Sequence, residues 1–127
     1  MGSLTLLCTG NGNTTYMVKK PDTPQEICVI YSTVPPSRSD DLAKRLLEKN
    51  LVACVNITPV RSVYRWKGES CDDEEHLLIM KTRKSLADRV IRVLRDMHPY
   101  EVPEIIVLPV IAGHAPYLDW VHAETRD

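Results

Sequence analysis

Twice in this chain a β-branched apolar run is followed by a Ser-x-x-Asp spacing and then by apolar residues at helical period. This repeated strand-to-helix signal limits the fold more than any other feature. The first instance is Ile27-Cys28-Val29-Ile30-Tyr31, ended by Pro35-Pro36. Ser37 and Asp40 follow with capping-box spacing, then Leu42, Ala43, Leu46 and Leu47 on one helical face, with Asn50 as a left-handed cap. The second is His76-Leu77-Leu78-Ile79-Met80-Lys81-Thr82, then Ser85 with Asp88, then Leu86, Val90, Val93, Leu94 and Met97, until Pro99 stops the helix.

Between the two units, Val52-Ala53-Cys54-Val55 is apolar on both faces, and strand character continues through Val60 to Trp66, with Pro59 expected to split it in two. Lys67-Gly68-Glu69 reads as a turn and Asp72-Asp73-Glu74-Glu75 as a solvated hairpin end. Ile105-Ile106-Val107-Leu108 is a last strand, and Pro109 marks its far end as an edge or bulge. Pro116 opens a short terminal helix in which Tyr117, Leu118 and Val121 share a face flanked by Trp120. The order β-α-β-β-α-β plus a C-terminal helix predicts an α+β, ferredoxin-like split βαβ sandwich. With both helices on one side, the opposite sheet face lacks an internal cover. Along the ribbon, Ser62, Tyr64 and Trp66 alternate with Arg61, Val63 and Arg65, giving an aromatic and a basic side.

Residues 1–25 are rich in Gly, Asn, Thr and Pro without sustained periodicity and read as a flexible extension of a domain spanning 26–127. The 16 Lys plus Arg against 17 Asp plus Glu give a net charge of -1, which offers no broad attraction to nucleic acid or to an anionic membrane. No apolar run reaches the roughly 20 residues of a membrane span, so a cytoplasmic location is the expectation. Cys8, Cys28, Cys54 and Cys71 show neither C-x-x-C nor zinc-ligand spacing. Cys28 and Cys54 are expected to be buried as small hydrophobes and Cys71 to be exposed. No Gly-x-Ser-x-Gly turn, phosphate-binding glycine loop or H-E-x-x-H motif is present, and the expectation is that the protein is not an enzyme.

Several blocks at ordered spacing carry a more specific message. They are Ala53-Cys54-Val55-Asn56-Ile57 with Pro59-Val60, Ser62 through Gly68, Glu75 with Lys81-Thr82, His98 through Glu104, Leu108-Pro109, and Tyr117-Leu118-x-Trp120. From about residue 26 to residue 124 the chain resembles the CutA family of divalent-ion tolerance proteins. The resemblance implies a ferredoxin-like fold assembled as a tight homotrimer, in which hairpin strands extend a neighbour's sheet. It also implies a likeness to PII signalling proteins, whose ligand clefts lie between subunits. Tolerance of divalent cations, copper binding in bacterial members and a connection with acetylcholinesterase assembly in animals belong to the same implication.

Two functional classes follow. One is a trimer that binds a metal ion, a small anion or another small ligand at intersubunit clefts. The other is a structural trimer that docks other proteins, or a PII-like ligand sensor. His98 is the first metal candidate, and its structural alternative is a contact with the end of its own helix. Met97 offers a thioether to copper or, alternatively, fills the core. Bacterial members associate a cysteine near the end of the first strand with copper, where this chain has Tyr31-Ser32-Thr33, so the soft thiolate is missing. Tyr64, Trp66, Glu75, Lys81, Tyr100 and Trp120 are the expected ligand-cleft or interface residues. The cofactor expectation is copper or another divalent cation, or none.

Overall fold

The computed structural model describes residues 26–127 with their side chains, and the backbone of residues 4–10 and 14–19. In that N-terminal segment Leu4–Gly10 (β1) pairs antiparallel with Thr14–Lys19 (β2). The turn-forming residues of the segment conceal these strands in the sequence, although Thr5, Thr9, Thr14, Thr15 and Val18 are β-branched. The remainder of the expected 1–25 extension lies outside the described residues.

The main body follows the expected order: β3 Ile27–Val34, α1 Ser39–Glu48, β4 Cys54–Trp66, β5 Glu69–Arg83, α2 Ala87–Met97, β6 Ile106–Pro109 and α3 Ala115–Ala123. The sheet runs β4-β5-β3-β6 with every neighbouring pair antiparallel, which is the ferredoxin-like arrangement. Cys28, Ile30 and Val34 of β3 with Leu78 and Met80 of β5 form the sheet side of the core. Leu42 and Leu46 of α1 with Val90 and Leu94 of α2 close it. Burial pushes the Cys28 thiol up to about 11, so this cysteine is an inert core group, as expected. Among the described residues no helix is long and apolar enough to cross a membrane.

Both helices begin where the spacing places them, but not by the expected cap. A 3-10 turn, Pro36–Arg38 or Lys84–Leu86, leads into each, and neither start carries a side-chain cap hydrogen bond. Near the first, Ser39 is the serine that bonds, with its Oγ 3.0 Å from the Pro36 carbonyl oxygen and 2.8 Å from His76 Nδ1. The left-handed cap holds: Asn50 has φ 58°, its N–H donates to Leu47 O, and the Leu51 N–H donates to Leu46 O. That pair of bonds is a Schellman motif. Leu47 is exposed rather than part of the buried face.

Three further expectations change. Pro59 does not divide β4, because β4 is an edge strand where a missing N–H can face away from the ladder, and Pro59 stays in register with His76. The acidic stretch is solvated at Asp72, Asp73 and Glu74, as expected, but it is strand, and Glu75 is buried. It lies inside β5, whose pairing with β4 runs to Trp66↔Glu69 across a two-residue turn in which Lys67 (φ 50°) and Gly68 (φ 81°) are both left-handed. The open sheet face is partly covered, because α3 packs against β3 and β5, its C-terminal end beside Arg83. There Val121 is fully buried, and the Arg83 guanidinium donates to the carbonyl oxygens of His122 and Thr125.

Candidate functional groove

The β4–β5 ribbon is longer than the rest of the sheet. β3 ends its pairing with β5 at Val34↔His76, whereas β4 and β5 continue together from Val60↔Glu75 to Trp66↔Glu69. This overhang of roughly 20 Å leaves β4 without a neighbour on its outer side and leaves residues 69–75 of β5 without one on the β3 side. Arg61 fastens the ribbon on its surface with a two-pronged hydrogen bond to Asp72, 2.9 and 2.6 Å, which holds the Asp72 carboxyl below its ordinary range.

The second wall comes from the segment after α2. Pro99 ends the helix, and the chain passes around the end of β3 to reach β6 at the opposite edge of the sheet. His98 fixes this passage. Its Nδ1 accepts the Tyr100 backbone N–H at 3.1 Å, so Nε2 carries the proton and donates to the Thr33 carbonyl at 3.0 Å. Burial, assisted by the Arg38 charge, lowers the His98 pKa, while the bond to Thr33 and the Glu75 charge oppose that shift. With both nitrogens engaged, metal coordination at His98 requires breaking one of these bonds. In this arrangement the ring braces the passage against β3.

Between ribbon and passage lies a groove of about 770 Å³ lined by Tyr64, Trp66, Glu75, Tyr100, Glu101 and Glu104 among others. Glu75 is only 5% exposed, and the Tyr100 hydroxyl donates to its Oε2 at 2.8 Å. Burial first, and then that bond and the Glu75 charge, push the Tyr100 hydroxyl up. Tyr64 donates to Asp73, which pushes its hydroxyl up to about 12. Both phenols therefore stay protonated donors at neutral pH. At the rim, the Lys67 ammonium lies 5.5 Å from the centre of the Trp66 ring and 3.6 Å from Glu101.

Four of the expected cleft residues, Tyr64, Trp66, Glu75 and Tyr100, thus meet in one groove. Two do not. The Lys81 ammonium donates to Asn56 Oδ1 where β4 begins, and the Trp120 ring stacks near Tyr117, 5.6 Å between centres, on α3. Met97, the other metal candidate, has its sulfur 3.8 Å from Arg45 Nη1 and packs against the core. Among the described residues no three His, Cys, Asp or Glu side chains converge as an ion site. Cys54 and Cys71 are both half-buried, where one was expected buried and the other exposed. Cys71 lies within β5 opposite Tyr64. Glu101 and Glu104 were not singled out in advance as groove residues. Their place depends on the path of the chain around the sheet end, which no local pattern encodes.

The family description "CutA1 divalent ion tolerance protein" matches residues 28–124. The mouse Protein CutA is 41% identical over 105 residues, 81% of this chain and 59% of the mouse protein. The chain thus spans about three fifths of the length of that relative. The divalent-cation tolerance protein CutA of Thermus thermophilus is 42% identical over 99 residues, 76% of this chain and 96% of its own. Among solved structures, the PII-like protein CutA from Nostoc superposes with a TM-score of 0.74 at 38% identity, covering 80% of this chain and 97% of the other. CutA1 from Oryza sativa gives 0.77 at 42%, with 80% and 95% covered. The fold, the blocks of matched sequence and these relatives agree that the chain belongs to the CutA divalent-ion tolerance family.

Proposed function

We propose that this chain acts as a homotrimer whose overhanging ribbons pair with neighbouring subunits, and that the groove beside each ribbon is a small-ligand cleft completed at the subunit boundary. The ribbon carries the reading: it presents unpaired backbone groups on both outer edges together with Val63, Tyr64 and Trp66, which are 69, 43 and 39% exposed. A solitary domain leaves such edges open to indiscriminate strand addition, whereas closed association satisfies them. The PII-like description of the Nostoc relative supports a ligand-sensing role over catalysis.

Divalent-cation tolerance, the property named for the Thermus relative, is proposed to operate here without a tight copper site at His98, because Ser32 stands where bacterial members carry the thiol. Docking of other proteins is the second reading. The ligand reading is favoured by Glu75, a buried carboxylate that lines the groove instead of pairing with a basic residue of its own domain. A cytoplasmic place of work completes the proposal, although rice and Arabidopsis relatives are named chloroplastic and an Archaeoglobus relative periplasmic.

Substitution on the ribbon tests this reading. Trp66→Asp places a charge at the proposed boundary and is expected to give aggregated or unfolded protein. A stable, well-folded Trp66→Asp protein with the hydrodynamic size of the parent would refute the placement of the ribbon at an interface.

A further inference from the structure

We propose that the groove binds an organic ammonium ion, with Glu75 as its counter-ion and the rings of Tyr64, Trp66 and Tyr100 as its walls. The proposal rests on the reading of this groove as a ligand cleft and adds the chemical class of the ligand. Glu75 is 5% exposed, and its hydrogen bond comes from a neutral phenol. Among the described residues no Lys, Arg or His forms an ion pair with it. A carboxylate withdrawn from water without a cation is costly, so a ligand that supplies one gains from a site already organised for it.

The basic groups nearby are already engaged. Arg61 holds Asp72, and Lys67 holds Glu101. Arg61 itself lines the groove, but with its charge matched by Asp72 and that of Glu101 matched by Lys67, Glu75 and Glu104 leave the lining acidic, which disfavours phosphate and other anions. A bare divalent metal is a poor match as well, because it needs several converging anionic or neutral donors and no such cluster exists among the described residues. Aromatic faces beside a carboxylate suit a cation with an apolar body. The chain itself displays this chemistry at the rim, where the Lys67 ammonium approaches both the Trp66 ring and the Glu101 carboxylate. A groove of about 770 Å³ also has the size of small-molecule sites.

Benzylammonium and benzyl alcohol, which share a ring and differ in charge, test the assignment by calorimetry on the full chain. Benzylammonium is expected to bind about tenfold more tightly. Glu75→Gln retains an acceptor for the Tyr100 hydroxyl and is expected to reduce that preference to about twofold or less, with the sedimentation behaviour unchanged. Should Glu75→Gln fail to fold, Trp66→Leu reads the same preference, which is expected to fall by about threefold or more. Equal binding of the two probes to the parent protein, or a preference that survives in Glu75→Gln, overturns the ammonium assignment while leaving a ligand cleft in place. Binding of neither probe overturns both the assignment and the cleft. If Glu75→Gln instead dissociates the assembly, the counter-ion is a basic side chain of a second copy and the small-molecule proposal falls.

Discussion

At the scale of single residues, His98 links the two walls of the groove, and its behaviour with pH follows from its bonds. Folding lowers its pKa, so the native state binds fewer protons than the unfolded chain between the native value and about 6.5. The stability this neutral imidazole contributes is therefore complete above about pH 6.5 and is lost as pH falls toward the native value. Denaturant titrations between pH 5 and 7 are expected to show this loss in the parent protein and a flatter profile in His98→Gln; identical profiles would show that His98 is not the titrating group. The same bonds predict weak copper binding. Calorimetry with Cu(II), and with Cu(I) under reducing conditions, is expected to give no submicromolar site, and a submicromolar affinity abolished by His98→Ala would contradict that. His98 stands out in the sequence because it follows a helix and precedes Pro99, but its bond to Thr33 joins positions far apart in the chain. The bracing contact is therefore invisible to local pattern.

At the scale of elements, apolar period and turn residues made β3 to β6 and α1 to α3 legible, most clearly for β3, β5, α1 and α2, which bury one face against a shared core. What local pattern missed was decided by neighbours. Pro59 looks like a breaker until β4 is known to be an edge strand, and the strand character of the solvated residues 72–75 shows only once their pairing with residues 60–63 is known. The two serine caps failed because a 3-10 turn delivers the chain into each helix. The turn at Lys67-Gly68 sets the register of the whole ribbon, and Gly68→Ala, forced to a φ of 81°, is expected to cost about 1–2 kcal/mol in chemical denaturation. A change below a few tenths of a kcal/mol would mean that the turn relaxes and does not hold the register. In the core, Leu94→Ala removes a fully buried side chain between α2 and the sheet and is expected to cost about 2–5 kcal/mol. The N-terminal segment is proposed to be dispensable: protein starting at Glu26 should keep a cooperative melting transition, and its loss would place β1 and β2 within the folding unit.

At the scale of the whole molecule, a sheet with one face covered by two helices and the other partly covered by α3 presents a long ribbon that its own domain leaves unpaired. The ferredoxin-like plan was legible from the order of elements, and the resemblance supplied the expectation of a trimer. The length of the overhang, which gives that expectation its physical reason, depends on where β3 stops relative to β4 and β5. Association that satisfies those edges and covers Trp66 couples assembly to folding, so dissociation and unfolding are expected to occur together. Sedimentation equilibrium at micromolar concentration tests this most directly. The account predicts a single species of about three times 14.4 kDa, and a well-folded species of 14.4 kDa under the same conditions would contradict it.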